Sequence, residues 1–347
     1  MRRWIMALGA LAGAGCATVE TVPVPALVET APVASLEDAA DDPAIWVHPY
    51  AAGASRILGT DKQSGLAVYD LEGRQAQFLA VGPVNNVDLR QAPADSGAPF
   101  DVAVATHDGD HAISVFLIDR ETGEVRRDKA IPTEKLDPYG ICLGESADQA
   151  GLLVGVTYRD GATQIWPLSF GDDGVVAGDP RVVSLASQLE GCVFDEAHAR
   201  LFIGEEEHGV WSLDLSDPTS RPQLVDSIAA GNGLAVDVEG VSIWRGADGA
   251  GWLVASAQGK DRFVVYERAA PHAVRGVFTV AGGEGVDAVS HTDGIDITSA
   301  PLGEAFPRGL LVVQDDVNSD PDAPQNFKLI DWREVEAALG LERLEAE

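Results

Sequence analysis

Residues 41–47 read "DDPAIWV", and residues 55–71 continue as "SRILGTDKQSGLAVYDL". Apolar side chains alternate with small or polar ones in the first segment, and two further apolar runs flank a polar turn in the second. Alternation over short runs that are bounded by turn residues indicates β-strands. Pro43 excludes a helix through the acidic cluster. This stretch therefore predicts a unit of consecutive antiparallel strands.

The same unit recurs along the chain. Its first-strand pattern returns as "NNVDLR" at Asn85, "YGICLG" at Tyr139, "EGCVFD" at Glu190, "EGVSIW" at Glu239 and "DGIDIT" at Asp293. Equivalent positions in successive units are 44 to 54 residues apart, and helical periodicity is almost absent outside residues 332–347, "WREVEAALGLERLEAE". Short strands at a period near fifty predict an all-β fold, a six-bladed β-propeller whose four-stranded antiparallel blades surround a central channel.

The N-terminal residues predict export. Residues 1–16 combine a basic start, a short apolar run and small residues, so we assign them to an export signal. Cys16 is a candidate for lipid attachment, although Gly13 is unusual three residues before such a cysteine. Residues 17–37 are predicted to be a linker or tether that begins propeller closure, and residues 38–347 the propeller domain. We expect a periplasmic protein, an outer-membrane lipoprotein or a secreted protein.

The charge of the chain excludes some partners. Its formal net charge is −31, and without Arg2 and Arg3 of the signal the 22 basic and 55 acidic side chains give −33. Nucleic acids and anionic membranes are bound by neutralising phosphates, so such a surface repels both. An anionic substrate would need a cation between itself and this protein.

Two cysteines remain after the signal. Cys142 and Cys192 are compatible with one disulfide in an oxidising compartment and also with two buried thiols. Of these alternatives the sequence analysis favours the thiols.

The repeat also predicts where polar side chains gather. In an antiparallel blade the start of the first strand and the end of the second lie at the same end of the channel. The first-strand starts supply Asp41, Asp42, Asp88 (inside its strand), Tyr139, Glu190, Glu239 and Asp293. The second-strand ends supply Asp61, Lys62, Asp108, Arg159, Asp160, Glu205, Glu206, Gln258, Asp315 and Asp316. A ring so rich in carboxylates predicts bound cations, and calcium prefers such oxygen ligands.

These residues resemble a known family. The chain is similar to the β-propeller phytases, calcium-dependent enzymes that hydrolyse phosphate monoesters of inositol hexakisphosphate (phytate). The resemblance runs from about Glu29 to the C-terminus and rests on seven segments in order: "DAADDPAIWVHP", "DKQSGLAVYDLEG", "NNVDLR", "EGCVFD", "VDVEG", "TDGIDIT" and "QNFKLIDW". The fold of that family, a six-bladed propeller, agrees with the fold predicted from the repeat.

The resemblance implies a set of site residues. Calcium ligands are implied at Asp41, Asp42, Glu190, Glu206, Asp237, Glu239, Gln258 and Asp293. Outer, more structural calcium sites are implied at Glu29, Asp287, Asp315 and Asn318. The phosphate-binding residues would be Lys62 and Arg159 with Tyr139 beside them, and the catalytic set would be Lys62, Tyr139, Arg159, Glu206 and Asp293.

The resemblance also implies a mechanism. Several calcium ions, structural and catalytic, would bridge the carboxylates to the substrate, and a calcium-activated water would attack phosphorus. The substrate would be phytate as its calcium complex, and the enzyme a monomeric, 3-phytase-like phosphoric monoester hydrolase. Asp38 is expected to support the loop, and Trp46 to lie in the core.

Two positions depart from the family pattern. Arg159 stands where family members usually carry lysine, and its fork of donors suits phosphate equally well. Asp108 stands where they offer an arginine, so one positive charge is missing unless a histidine of "ATHDGDHAIS" or Lys129 replaces it. Weaker binding of phytate is one consequence, and recruitment of a further calcium ion by Asp108 is the alternative.

Two other functions remain open on the sequence. A calcium-dependent lactonase-type propeller would also use a channel cation, but it has no need for paired bases such as Lys62 and Arg159. A non-catalytic calcium-binding propeller would need neither these bases nor the acidic ring.

Overall fold

The computed structural model describes residues 19–93, 96–146, 151–171, 174–318 and 323–347. The export signal and Cys16 lie outside these residues. Within the described part, no helix is long and apolar enough to cross a membrane. The first two strands are β1 (Val22–Pro25) and β2 (Val28–Glu29).

The first three blades follow in chain order. Blade 1 contains β3 (Ala40–Trp46), β4 (Arg56–Asp61), β5 (Gly65–Tyr69) and β6 (Gln75–Leu79). Blade 2 contains β7 (Val84–Arg90), β8 (Phe100–His107), β9 (Ala112–Asp119) and β10 (Val125–Pro132). Blade 3 contains β11 (Pro138–Glu145), β12 (Leu152–Tyr158), β13 (Ala162–Gly171), β14 (Gly174–Ala177) and β15 (Arg181–Ser184), of which β14 and β15 both pair with β13.

The other three blades complete the ring. Blade 4 contains β16 (Leu189–Asp195), β17 (Arg200–Glu205), β18 (Gly209–Asp214) and β19 (Gln223–Ser227). Blade 5 contains β20 (Val241–Arg245), β21 (Gly251–Ala257), β22 (Arg262–Glu267) and β23 (Val274–Ala281). Blade 6 contains β24 (Ile295–Thr298), β25 (Leu310–Asp315) and β26 (Asn326–Asp331). Short 3₁₀ helices occur at Ala52–Ala54, Glu196–His198, Ile228–Ala230, Ala247–Gly249 and Gln258–Lys260.

The six sheets confirm the predicted propeller, and each begins at one of the repeated segments. The N-terminal strands close the ring from outside. Strand β2 pairs antiparallel with β26 as the fourth strand of blade 6, and β1 pairs in parallel with β23 as a fifth strand of blade 5. Residues within the predicted tether thus join the last two blades to the N-terminus.

The core lies between neighbouring blades. One apolar layer packs Trp46 and Leu58 of blade 1 against Phe116 and Ile118 of blade 2. Trp46 is fully buried, as predicted, and its indole N–H donates to the Asp101 carboxylate at 2.8 Å. Side chains of one blade therefore fill the face of the next, which fixes each first strand around the channel.

The C-terminal helix is shorter than its predicted segment. Helix α1 spans Trp332–Leu339, and Gly340 ends it in the left-handed region at φ 60°. A glycine adopts this conformation without steric cost, so it stops helices readily. The remaining residues of the segment 332–347 are therefore not helical.

The prediction of two free thiols is wrong. Cys142 and Cys192 form a disulfide between β11 and β16, the innermost strands of blades 3 and 4. The closed ring brings these two strands side by side, a proximity that spacing along the chain does not reveal. The bond ties two blades together across 50 residues of sequence.

We expect the paired variant Cys142→Ala/Cys192→Ala to lose about 2–4 kcal/mol of unfolding free energy, because the cross-link restricts the unfolded chain. Equilibrium denaturation with guanidinium measures this loss. Adding a reductant to the wild type should produce a similar loss, whereas the reductant should not affect the variant. A wild type insensitive to complete reduction would contradict the prediction.

Candidate active site

Backbone bulges build the channel mouth. In blades 1 to 4 the pairing of the first two strands shifts register at the start of the innermost strand: between Ala40 and Pro43, Val84 and Val87, Pro138 and Ile141, and Leu189 and Cys192. A bulge bends its strand and re-aims the side chains beside it. Asp41, Tyr139 and Glu190 lie within these shifts and are thereby directed to the mouth.

A glycine follows most of the mouth residues for a steric reason. The N–H of Gly191 donates to the carbonyl of Glu239 in the next blade at 3.1 Å. In the same way the N–H of Gly240 donates to the carbonyl of Asp293 at 2.9 Å. A Cβ atom on Gly191 would lie 2.1 Å from the Glu239 carbonyl oxygen, so no larger residue fits. The repeated Glu-Gly and Asp-Gly pairs therefore serve contacts between blades.

Three glutamates converge at the mouth. Glu190, Glu206 and Glu239 each bring one carboxylate oxygen within 4.8 Å of the others. Each also has a buried oxygen without a hydrogen-bond partner among the described residues. Burial raises the pKa of all three carboxyls, that of Glu206 to about 7, and the charge of Glu239 adds to the effect on Glu190 and Glu206. Orphaned, mutually repelling oxygens at this spacing fit a bound cation.

Two aspartates and a lysine adjoin these glutamates. Asp41 is buried, and neither of its carboxylate oxygens accepts a hydrogen bond from the described residues. The Lys62 Nζ lies 3.5 Å from Asp41 Oδ2 and 3.3 Å from Asp293 Oδ2. Although burial opposes the charged form, the carboxylates of Asp41 and Asp293 raise the pKa of Lys62. The lysine therefore stays protonated at the mouth.

Asp38 does more than support its loop. Its Oδ1 lies 2.6 Å from the Lys62 Nζ, while the rest of the side chain is exposed. This ion pair was not predicted, because a strand pattern does not show where a preceding loop folds. Asp38 and Lys62 line a cavity of about 370 Å³ with eight other residues: Tyr139, Glu239, Gln258, His291, Asp293, Gln314, Asp316 and Gln325.

Gln325 is a further residue that the sequence analysis missed as part of the site. Its Oε1 accepts hydrogen bonds from the N–H groups of Ala39 and Ala40, each at 2.7 Å, and its amide donates to Asp316. This buried amide fixes the loop that carries the first acidic cluster against blade 6. Its only signal in the sequence is its place in the motif "QNFKLIDW".

Arg159 and Tyr139 form a pair. The Arg159 guanidinium carbon lies 4.1 Å from the centre of the Tyr139 ring, a cation–π geometry. Arg159 is exposed, whereas Tyr139 is half-buried and lines the cavity. Burial, followed by the charge of Glu190, raises the pKa of the Tyr139 phenol, so it remains neutral. The aromatic ring thus orients a solvent-accessible cation beside the glutamates.

Gln258 and Asp237 are also brought to the mouth. The Gln258 side chain donates to Asp293, and its N–H donates to the Asp237 carbonyl at 2.9 Å. The N–H of Asp237 donates to the Glu206 carbonyl at 2.9 Å. Asp237 has φ 62°, a left-handed conformation that turns the chain sharply between Glu206 and Glu239.

Asp42 lies deeper than the other predicted ligands. Its Oδ2 accepts the N–H of Val87 in blade 2 at 3.0 Å, and it lines a small cavity of about 30 Å³ inside the channel. Burial and the neighbouring Asp41 charge raise the pKa of its carboxyl. Asp42 thus joins two blades below the mouth, while Asp41 faces Lys62.

The four predicted outer ligands form a separate cluster around Lys328. The buried Lys328 Nζ lies 2.5 Å from Glu29 Oε2, 3.2 Å from Asp315 Oδ2 and 3.2 Å from Asn318 Oδ1. It also donates to Asp287. Three carboxylates exceed one ammonium by two negative charges, and Asp315 Oδ2 contacts Lys328 only as an ion pair within the described chain. A cation beside Lys328 fits this oxygen set.

Several acids assigned to the ring by sequence point elsewhere. Asp61 accepts the N–H groups of Ser35 and Gln63, and Glu205 accepts those of Ala186 and Ser187. Asp160 pairs with Lys135 at 2.5 Å. Strand alternation explains the difference, because adjacent residues at a strand end face opposite directions. The mouth positions are those directly after each second strand: Lys62, Asp108, Arg159, Glu206, Gln258 and Asp316.

Asp88 was also wrongly placed in the mouth ring. It lies three residues further into its strand than Asn85, and its Oδ2 accepts the N–H of Leu143 at 2.7 Å. It lines the opposite end of the channel, where Arg90 Nη1 lies 3.5 Å from its Oδ1.

The arginine missing from the second blade has no replacement in Lys129. This residue is on β10, the outermost strand of blade 2, and its Nζ donates to the Val175 carbonyl at 2.7 Å. His107 is buried, with Nε2 2.9 Å from the Val81 carbonyl, and so has a structural role. At the mouth itself, blade 2 thus presents the Asp108 carboxylate.

Comparisons with known proteins place the chain among relatives. The family model described as "Phytase" matches residues 4–345. A 3-phytase of Bacillus subtilis (strain 168) is 37% identical over 327 residues, which cover 91% of this chain and 85% of the relative. The solved structure of BBS1N in complex with ARL6DN superposes with a TM-score of 0.47 at 9% identity, covering 90% of this chain and 98% of that chain.

The raised pKa of Glu206 predicts how stability depends on pH without metal. Its value of about 7 in the folded protein exceeds the ordinary 4.5, so the native state binds this proton more tightly than the unfolded chain. The resulting stabilisation is complete below pH 4.5 and is lost as the pH rises through about 7. In chelator, Tm should therefore fall across this range, and Glu206→Gln should reduce the fall. Thermal melts at several pH values test this, and parallel profiles for both proteins would contradict it.

Proposed function

This chain belongs to the phytase family and is a phytase, and we propose that it is a calcium-dependent one. It would release phosphate from myo-inositol hexakisphosphate, the reaction class indicated by the name of its Bacillus subtilis relative, a 3-phytase. We propose calcium rather than a softer metal because the ligand set consists of carboxylate and amide oxygens without sulfur or imidazole among its converging members.

One observation carries the proposal: Glu190, Glu206 and Glu239 converge within 4.8 Å and leave buried oxygens unpartnered. Like charges this close raise each other's pKa unless a cation compensates them. Asp41 and Asp293 add two more carboxylates at the same mouth. A protein that only needed a stable channel would gain nothing from this repulsion.

The charge of the whole molecule supports the same function. A chain of net charge −31 repels a substrate that carries several phosphates. Calcium at the mouth would attract these phosphates, polarise their oxygens and lower the pKa of a water bound to it. The carboxylates of the chain then have the task of holding cations at a fixed distance from the bases.

Lys62 and Arg159 supply the protein's own positive charges to the substrate. Lys62 is kept protonated by Asp41 and Asp293, and Arg159 is held over the Tyr139 ring with its guanidinium accessible. Both would contact phosphate oxygens and stabilise the charge that develops on them during in-line attack. Two bases at an acidic mouth, of which Arg159 is exposed, favour a phosphorylated substrate over a lactone.

We also propose that the protein is exported. The basic start and apolar run of residues 1–16 support a signal, and the Cys142–Cys192 disulfide supports an oxidising compartment. Labelling with a lipid precursor, compared between wild type and Cys16→Ala, would decide between a lipoprotein and a released protein. Equal labelling of both would contradict attachment at Cys16.

We expect calcium to control both stability and turnover. Excess chelator should lower Tm and abolish phosphate release from phytate, and calcium should restore both, since a ligand bound only by the native state stabilises it. Glu206→Gln should need more calcium for half-maximal activity. Phosphate release and lactone opening, assayed in parallel with and without calcium, distinguish the phytase from a lactonase. Undiminished phytate turnover in chelator would refute the calcium requirement.

Substitution of the bases should affect chemistry more than folding. Lys62→Ala and Arg159→Ala should each raise the activation free energy by about 2–4 kcal/mol, as expected when a charge-stabilising donor is lost. Steady-state kinetics on phytate measure this, with Arg126→Ala on the outer strand of blade 2 as the matched control. Near-normal kcat/KM in both mouth variants would move the active site elsewhere.

A further inference from the structure

A layer of small or uncharged residues lies directly beneath the mouth. Each member is one residue before the end of the second strand of its blade: Thr60, Thr106, Thr157, Gly204, Ser256 and Gln314. Each therefore precedes a mouth residue, such as Arg159 or Glu206, by two positions. Because side chains alternate along a strand, a layer residue and the mouth residue two positions later are expected on the same side of the blade.

Three hydroxyls of this layer reach into the next blade. Thr106 Oγ1 donates to the carbonyl of Tyr139 at 2.6 Å. Thr157 Oγ1 donates to the carbonyl of Glu190, also at 2.6 Å, and Ser256 Oγ donates to that of Thr292 at 2.8 Å. All three donors are completely buried. Each bond thus fixes the backbone at, or next to, a residue that carries a mouth side chain.

The bond from Thr157 lies at a tightly packed point between two blades. A Cβ atom on Gly140 would lie 2.0 Å from the Glu190 carbonyl oxygen and 2.4 Å from Thr157 Oγ1, so these two oxygens leave no space beside the Gly140 backbone. A carboxylate oxygen of Glu190 lies within 4.8 Å of carboxylate oxygens of Glu206 and Glu239. Its backbone is therefore held from blade 3 while its side chain faces two like charges.

We propose that Thr157 is a positioning residue for the cation site, acting through the Glu190 backbone; this rests on the proposed calcium function. Mutual repulsion drives Glu190 away from Glu206 and Glu239 when no cation is present. A neutral hydroxyl bond resists this displacement at every pH and keeps the oxygens at binding distance. Partners that orient metal ligands in this way commonly change affinity about 10–100-fold when removed.

Calorimetric titration with calcium alone tests the proposal. The binding event of the three glutamates is identified as the one that Glu206→Gln weakens or removes. Thr157→Val, which keeps the shape and loses the hydroxyl, should weaken this event about tenfold. Thr157→Ser restores the donor and should bind nearly as the wild type does. Thr157→Ala removes the same hydroxyl without adding volume and replaces the valine variant if that variant fails to fold.

Thr163→Val is the matched control. Thr163 lies in the same blade on β13, is equally buried, and its Oγ1 has no hydrogen-bond partner among the residues described. Loss of the Thr163 hydroxyl should leave calcium affinity unchanged. Tm in chelator is measured for every variant, because a purely structural hydroxyl would lower Tm and leave the affinity intact.

The outcomes separate the two hypotheses. If wild type and Glu206→Gln titrate alike, the glutamates do not bind calcium, and both the proposed site and this inference fall. If they differ but both Thr157→Val and Thr157→Ala bind as the wild type does, the calcium site stands and the inference alone is overturned. A tenfold loss in Thr157→Val that Thr157→Ser restores supports it.

Discussion

Repulsion among buried carboxylates is the constraint on which this structure depends. Glu190, Glu206 and Glu239 lie within 4.8 Å of each other, and Asp41 and Asp293 lie close enough to raise the pKa of Glu190 further. Left alone, such a cluster either takes up protons or separates. The fold prevents separation, because each carboxylate is attached to a different blade or loop and every blade is packed against its neighbours. Bound protons or cations must then neutralise the negative charge of the cluster.

The backbone is what makes this cluster rigid. Glycines at the start of the inner strands let the N–H of one blade reach the carbonyl of the next, as Gly191 reaches Glu239 and Gly240 reaches Asp293. Hydroxyls of the second strands form a second set of bonds to carbonyls of the next blade. The bond from Thr157 to the Glu190 carbonyl is one of them. Neither set carries charge, so both persist whether the mouth is protonated or holds cations.

Ion pairs also stabilise the closure of the ring. Strand β2 completes blade 6, and Glu29 at its end joins Asp287, Asp315 and Asn318 around the buried Lys328 ammonium. Glu29, Asp287 and the neighbouring residues Asp315, Asn318 and Lys328 therefore bring three parts of the chain together at one positive charge. The disulfide between the inner strands of blades 3 and 4 is a covalent counterpart in another part of the ring. Both features stabilise the closed ring that holds the mouth residues together.

The amino-acid pattern alone specifies the six blades, the strands that begin them and most of the residues at the mouth, because strand alternation and a repeated unit are local properties of the chain. It did not determine the facing of Asp61 or Asp88, since alternation assigns a side chain to the mouth only when the end of its strand is known, and the pairing of the strands sets that end. Nor did it decide between a Cys142–Cys192 bond and two thiols, or indicate the place of Lys328. Those contacts join residues that are remote along the chain, and only the closed ring brings them within bonding distance.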